Sequence, residues 1–420
     1  MTMGRRHGWG LLALLLAGCG GSVVHYRSPD TGTPYYPPPA AFRTIEGVLG
    51  ERVPASLRTP EVAIAYATTR RPGEVGFTDR SDGALHLGRL GMRIGPPDAT
   101  WEDLVDWARL NEQQIPPVRV AVSGLERFGY SGLAPTATGP DARFLAALEP
   151  MYGHGGRRVL LFVHGYNTSF AEAAATLACM HHHQGRRGAA VLFSWPAGTE
   201  VLRYVEEREL ARESTNALAR LITLLHGPGK VERIDCLVNS TGAQMLIGAL
   251  HQLDGTLGRE AMAGLGIGSL VLASPDVSLR DFLTDDIALL AATARRTVVY
   301  SNRTDRALGL SGWWHEGTRL GRLGRIDDDV RGPLLRYRDR VEVVDVTALP
   351  GPKDADGFTR HGAWYANPLV VTDAIFALLW GRPAGERGLV ATDDAPVWTL
   401  PADYGVQVAR ALAQPTAGDP

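Results

Sequence analysis

A regular alternation of short apolar runs and longer helical patterns, beginning at Arg158, constrains the fold of this chain most strongly. The short runs are rich in β-branched residues, whereas apolar residues in the longer segments recur every three or four positions. Such alternation indicates strand–helix–strand units, and therefore a mostly parallel sheet covered by helices on both faces. The predicted strands are residues 159–163, 189–194, 233–239, 269–274, 297–301 and 341–346, and the longer predicted helices are 170–183, 204–225, 279–292 and 368–380.

The region before this alternation predicts extra strands that join the same domain. Residues 61–68 and 85–94 have strand patterns, and residues 101–110 form an amphipathic helical pattern. We therefore place a folded domain at residues 57–380, with N-terminal strands and a helix in 57–150 and a core in 151–380. Residues 381–420 are rich in Pro, Gly and Ala, which predicts a loosely attached tail.

The first residues have the pattern of an export signal. A basic start is followed by a short apolar run and by Leu-Ala-Gly-Cys, ending at Cys19. This tetrapeptide resembles the lipobox of bacterial lipoproteins, which implies a signal peptide at 1–18 and an acylated Cys19. Residues 19–56 are rich in Pro, Gly and Ser and predict an extended tether. Because Gly20 follows the cysteine, the resemblance implies anchoring in the outer membrane, facing the periplasm.

Composition narrows the possible partners and cofactors. The formal net charge is −2, so there is no electrostatic reason to expect a nucleic-acid partner. Three cysteines are too few for a disulfide scaffold. Cys179 and Cys236 lie in apolar patterns that predict buried free thiols, although a bridge between them stays open.

One strand-to-helix junction carries a candidate nucleophile. An apolar run ends at Asn239-Ser240, and small and apolar residues at helical spacing follow. A serine on such a turn matches the nucleophile elbow, G-x-S-x-G, except that Val238 replaces the first glycine and Gly242 supplies the second. A helix N-cap is the alternative interpretation of Ser240.

Two further strand ends supply partners for this serine. In a parallel sheet, reactive groups gather beyond the carboxyl ends of the strands. Asp305 follows one strand and His361 lies in a loop after the next, so the chain order is Ser, Asp, His. His361 would take the proton of Ser240, and Asp305 would orient the imidazole.

The junction after residue 163 predicts the oxyanion hole. The N–H groups of Tyr166 and Thr241 would stabilise the oxyanion, and Gly165 would let the backbone approach closely. His164 is predicted to support this loop by packing or hydrogen bonding. Trp195 is predicted to pack nearby or to line an acyl pocket.

Several segments resemble a family of bacterial α/β-hydrolases that are described as esterase/lipase-like, with no settled substrate. The resemblance covers roughly residues 60–366 and implies an α/β-hydrolase fold with the nucleophile at Ser240, the acid at Asp305 and the base at His361. At the elbow the family has a small residue and then His-Ser-Met-Gly, where this chain has Val238 and Asn239. The matching segments are Ala65-Tyr-Ala-Thr-Thr-Arg70, Phe162-Val-His-Gly-Tyr-Asn167, Phe193-Ser-Trp-Pro196, Ala273-Ser-Pro-Asp276 and residues 301–311.

Alternatives stay open for most of these residues. Asp276 is the second candidate acid and His315 the second candidate base. The run of histidines at 181–183 does not predict a metal site, because ligand pairs on a helix need a spacing of three or four.

The sequence as a whole predicts a serine esterase that forms an acyl-enzyme and needs no metal or organic cofactor. The expected partners are a small-molecule or lipid ester and the membrane, through Cys19. Val238 and Asn239 motivate the alternative of an impaired hydrolase that acts as a binding or scaffold lipoprotein. A peptidase is a third possibility.

Overall fold

The strands form one sheet with a parallel centre. The computed structural model describes residues 32–43, 53–74, 76–111, 114–132, 138–197, 204–315, 317–324, 326–349, 361–394 and 396–413. The sheet order is β1-β4-β3-β2-β6-β5-β7-β8-β9-β10-β12-β11. The strands are β1 (Thr33–Pro34), β2 (Glu61–Pro72), β3 (Phe77–Ile94), β4 (Arg119–Tyr130), β5 (Arg158–Val163), β6 (Ala189–Ser194), β7 (Arg233–Asn239), β8 (Ile267–Ala273), β9 (Arg296–Ser301), β10 (Val341–Asp345), β11 (Val390–Ala391) and β12 (Val397–Thr399).

Parallel pairing runs from β2 to β12, and antiparallel pairing is confined to the two margins. Every residue of β6 and of β8 is buried. Such continuous burial is typical of parallel strands that are covered on both faces. The prediction of a mostly parallel sheet with extra N-terminal strands is therefore confirmed.

Helices cover both faces of the sheet, and the sheet divides the apolar core into two layers. One layer includes Leu221, Leu246 and Leu290, and the other includes Leu177 and Phe376. The helices are α1 (Trp101–Arg109), α2 (Pro140–Tyr152), α3 (Phe170–His183), α4 (Tyr204–His226), α5 (Gly242–Leu257), α6 (Leu279–Asp281), α7 (Ile287–Thr293), α8 (Arg306–Trp314), α9 (Asp328–Arg336), α10 (Ala363–Ala366), α11 (Pro368–Trp380) and α12 (Tyr404–Ala413).

Residues 32–43, which the sequence predicts as part of the tether, pack onto the domain instead. Thr33–Pro34 pairs with β4, and Phe42 is buried. The Tyr35 hydroxyl lies 2.8 Å from Nε2 of His183. Isolated aromatic residues anchor this segment without any periodic pattern, which explains why composition alone misses the contact. The predicted signal peptide and Cys19 lie outside the described residues.

Residues 382–413 also differ from the predicted loose tail. β12 extends the sheet beside β10, and α12 packs against residues 40–43 and 384–387 with Tyr404 fully buried. The Tyr404 hydroxyl donates to Oδ1 of Asp373 at 3.0 Å. In the sequence, the glycines of this segment are signs of a loose tail. In the structure they terminate secondary-structure elements: Gly381, for example, caps α11 with a φ of +62°.

Cys179 and Cys236 are both buried and free. They lie in the two core layers on opposite sides of the sheet, so no disulfide can join them. In the described part of the chain, no helix has the length and apolarity needed to cross a bilayer.

Candidate active site

Ser240 sits on a strained turn between β7 and α5. Its φ is +52°, a left-handed value that a residue with a side chain rarely adopts. The turn is held because the Ser240 N–H donates to the Ala273 carbonyl at 3.0 Å, and the Ser240 carbonyl accepts from Asp276 N–H at 3.2 Å. Positive φ at a non-glycine residue is a conformation concentrated at active sites.

Two glycines allow the neighbouring loop to approach this turn. A Cβ placed on Gly165 would lie 2.7 Å from Asn239 Oδ1 and 2.9 Å from Ser240 Cβ. A Cβ on Gly242 would lie 2.7 Å from the His164 carbonyl oxygen. Any side chain at either position would force the loop after β5 away from the serine.

Asp305 and His361 meet although they come from different strand ends. His361 Nδ1 lies 2.7 Å from Asp305 Oδ2. Asp305 is fully buried, whereas the His361 side chain is 22% exposed. Asp305 is also the N-cap of α8, because its Oδ1 accepts from Leu308 N–H at 2.9 Å. Both carboxylate oxygens are therefore fixed, one by the helix and one by the imidazole.

Ser274 joins the backbone of His361 to the strand end beside the serine turn. The Ser274 hydroxyl donates to the His361 carbonyl at 3.3 Å, and Ser274 follows β8, the strand beside β7. Neighbouring strands lie about 4.8 Å apart. Within the described residues, no hydrogen bond joins the Ser240 hydroxyl to the His361 ring. Catalytic hydrogen bonds often tighten only when substrate binds.

His164 lies under the loop that carries Gly165 and Tyr166. Its Nδ1 lies 2.8 Å from the Gly165 carbonyl, and its Nε2 lies 3.0 Å from Ser194 Oγ and 3.2 Å from the Trp195 N. A carbonyl can only accept, so Nδ1 carries the proton and Nε2 accepts. Burial, with the nearby Arg70 charge, lowers the pKa of His164 to about 3. The ring is therefore neutral at physiological pH.

Trp195 packs against His164 as a structural partner. The two rings stack with 5.7 Å between centroids and 7° between planes. The Trp195 Nε1 donates to the His164 carbonyl at 3.0 Å, and the residue is 2% exposed. The structure thus places Trp195 behind the loop, as a packing residue.

Arg70 is a site residue that the sequence reasoning missed. It ends an apolar strand pattern in β2, and its side chain is fully buried. It reaches Ser194 Oγ at 2.9 Å and the Thr168 carbonyl at 2.5 Å. The available signal was an arginine at the end of a buried strand pattern, together with its place in the resemblance.

The second candidate acid, Asp276, and the second candidate base, His315, have other surroundings. Asp276 accepts from Ser311 at 2.7 Å and pairs with Arg319 at 3.1 Å. His315 is an exposed residue that follows α8. Val238 is wholly buried within β7, and the turn accommodates it.

The histidine run 181–183 is buried at the end of α3. His182 packs edge-to-face on Trp101, and burial lowers its pKa well below the usual value. Among the residues that the structure describes, no group of His, Cys, Asp and Glu side chains is arranged to hold a metal.

A parallel sheet with an elbow serine, a glycine-lined loop and an Asp–His pair at the carboxyl edge defines the α/β-hydrolase class. Residues 149–381 match the model of the family described as alpha/beta hydrolase of unknown function (DUF900). This match covers more than half of the chain, so the chain belongs to that family. No curated protein and no solved structure shows a significant match.

Proposed function

We propose that the protein is a serine hydrolase that cleaves esters through an acyl-enzyme on Ser240. The observation that carries the proposal is the Asp305–His361 hydrogen bond of 2.7 Å, at the sheet edge where Ser240 occupies its strained turn. Membership of an α/β-hydrolase family supports hydrolytic chemistry.

The fixed carboxylate of Asp305 determines which nitrogen of His361 can act as the base. Its Oδ2 accepts the proton of Nδ1, so the lone pair of the neutral ring is on Nε2. In the proposed mechanism, Nε2 takes the Ser240 proton as the hydroxyl attacks the ester carbonyl. It returns that proton to the leaving alcohol, and a water molecule then repeats the sequence to release the acid.

The oxyanion hole is proposed to consist of the Tyr166 and Thr241 N–H groups. Thr241 immediately precedes α5, where N–H groups lack acceptors within the helix. Gly165 lies close to Ser240, so the loop that carries Tyr166 also lies beside the serine that would attack the ester carbonyl. Losing one such donor typically costs ~10²–10³ in rate.

The proposed setting is the outer membrane, with lipid on Cys19 and the domain facing the periplasm. This rests on the leader and the Leu-Ala-Gly-Cys sequence that ends at Cys19. The substrate would be a small-molecule or lipid ester, and no metal or organic cofactor enters the mechanism.

A binding lipoprotein with impaired catalysis is the second candidate. One observation favours it: in the described chain, the Ser240 hydroxyl and the His361 ring share no hydrogen bond. The polar Asn239 before the serine is also unlike the family elbow, and its side chain donates to the Ala273 carbonyl at 3.2 Å.

A fluorophosphonate probe separates the two candidates. We expect covalent labelling of the wild type, none of Ser240→Ala, and strongly slowed labelling of Asp305→Asn. Asp276→Asn is the matched control, because it removes the charge of the second candidate acid, and it should label like the wild type. An unlabelled wild type that also hydrolyses no short-chain p-nitrophenyl ester would overturn the enzyme proposal. Hydrolysis of matched amides as fast as esters would instead indicate a peptidase.

A further inference from the structure

Arg70 contacts both the proposed oxyanion loop, residues 164–169, and the end of the neighbouring strand β6. Its Nε donates to Ser194 Oγ at 2.9 Å, at the end of β6. One terminal nitrogen donates to the Thr168 carbonyl at 2.5 Å, and the other pairs with Asp79. A single planar guanidinium therefore joins β2, β6 and the loop.

Residues that Arg70 contacts also bind the backbone around the Tyr166 N–H, the proposed oxyanion donor. Ser194 Oγ lies 3.0 Å from His164 Nε2, and His164 Nδ1 donates to the Gly165 carbonyl. On the other side of Tyr166, Thr168 Oγ1 donates to the Tyr166 carbonyl at 3.2 Å. The peptide unit that contains the Tyr166 N–H and the unit that follows it are thus both held by groups that Arg70 contacts directly or through one residue.

The same loop contains a strained residue that needs such support. Asn167 has a φ of +52°, so the chain turns sharply between Tyr166 and Thr168. Strained backbone persists only where its surroundings determine it strongly. The Thr168 carbonyl, which follows this turn, is the atom that Arg70 holds at 2.5 Å.

The charge of Arg70 also favours the protonation state that the network requires. Arginine stays protonated even when buried, and its charge adds to the effect of burial in lowering the pKa of His164. A protonated ring would turn Nε2 into a donor and would remove the acceptor for the Trp195 N–H.

We propose that Arg70 is the positioning residue of the oxyanion hole, which orients the Tyr166 N–H through Thr168 on one side and through Ser194 and His164 on the other. The inference rests on the proposed function only for its kinetic consequence. The structural consequence, a loop at 164–169 that is ordered by Arg70, holds whether or not the protein hydrolyses esters.

The test uses Arg70→Lys and Ser194→Ala in the full chain, with two readouts. A lysine keeps the charge but cannot bond Ser194, Asp79 and the Thr168 carbonyl together, because it lacks the planar fork. Amide hydrogen exchange of the peptide that covers 164–169 should accelerate at least about tenfold in Arg70→Lys. The kcat for a p-nitrophenyl ester should fall up to about 10²-fold with KM within about twofold, approaching the loss of one oxyanion donor.

Arg387→Lys is the matched control. Arg387 is equally buried and pairs with Asp373 and Glu342, away from the loop. It should alter global stability without selective exchange at 164–169 and without a change in kcat, when all variants are compared well below their unfolding temperatures.

The outcomes separate this inference from the proposed function. Wild-type exchange and kcat in both Arg70→Lys and Ser194→Ala would overturn the positioning role. If Arg70→Lys does not fold, Ser194→Ala alone decides, since it removes only one hydroxyl from the network. Faster loop exchange in a protein whose wild type hydrolyses no ester would support the positioning role and refute the proposed function.

Discussion

Acid should destabilise this protein more steeply than an ordinary domain, because three buried histidines resist protonation in the folded state. Burial lowers the pKa of His164 and His183 to about 3 and that of His182 well below its usual value. In the unfolded chain each titrates near pH 6.5. Between these values the unfolded state binds more protons, so stability is present above pH 6.5 and is lost as the pH falls towards 3.

The expected size of the effect is large compared with domain stability. Each such histidine contributes a slope of about 1.4 kcal/mol per pH unit, so a change from pH 7 to pH 5 costs about 2 kcal/mol per histidine. Three together would cost about 6 kcal/mol, against the 5–15 kcal/mol that is typical of a native domain. Other groups also titrate in this pH range, and a difference between variants is therefore needed to isolate the histidines.

Urea unfolding at pH 7, 6 and 5 measures this slope. In His183→Gln, which keeps a polar group for the Tyr35 hydroxyl, the slope should fall by about 1.4 kcal/mol per pH unit. His226→Gln is the control, because this histidine is exposed and its removal should leave the slope unchanged. A His183→Gln slope equal to that of the wild type would refute the argument.

Three further predictions concern the site and the C-terminal segment. Asp305→Asn should lower kcat by up to ~10⁴-fold in ester assays while thermal stability changes little, since Asn still caps α8; a wild-type rate would exclude Asp305 as the acid. Gly165→Ala should lower fluorophosphonate labelling at least about tenfold while circular dichroism stays native, because its Cβ would lie 2.9 Å from Ser240 Cβ; unchanged labelling would contradict the close-approach argument. Tyr404→Phe should cost about 1–2 kcal/mol in urea unfolding with unchanged kcat, because the buried Asp373 loses a donor at 3.0 Å; unchanged stability would show that the hydroxyl contributes nothing.

The local sequence pattern predicted the central sheet because residues close together in the chain determine each strand–helix–strand unit. The apolar run of β5 and the helical spacing of α3 lie within one segment, and parallel pairing follows from their alternation. The same logic places Ser240 and Asp305 at strand ends. Their side-chain geometry is a separate matter, since Asp305 divides its two oxygens between α8 and His361.

The interactions that composition could not predict join residues far apart in the chain. Arg70 and Thr168 are separated by 98 positions, and Tyr35 and His183 by 148. Each of these contacts involves a single polar or aromatic group, which leaves no period in the sequence. The C-terminal strands are only two and three residues long, too short for an alternating pattern to be recognised.

The docking of residues 32–43 onto the edge of the sheet would set how far the hydrolase can reach from the lipid proposed on Cys19. If the tether ran from Cys19 to position 56, where the composition changes, its fully extended length would be about 125 Å. Counting from Gly32, the first residue that the structure describes, it spans 13 residues and at most about 45 Å. A hydrolase anchored in this way would therefore stay in a thin layer above the bilayer. It would encounter esters that leave or enter the membrane sooner than esters that diffuse farther away.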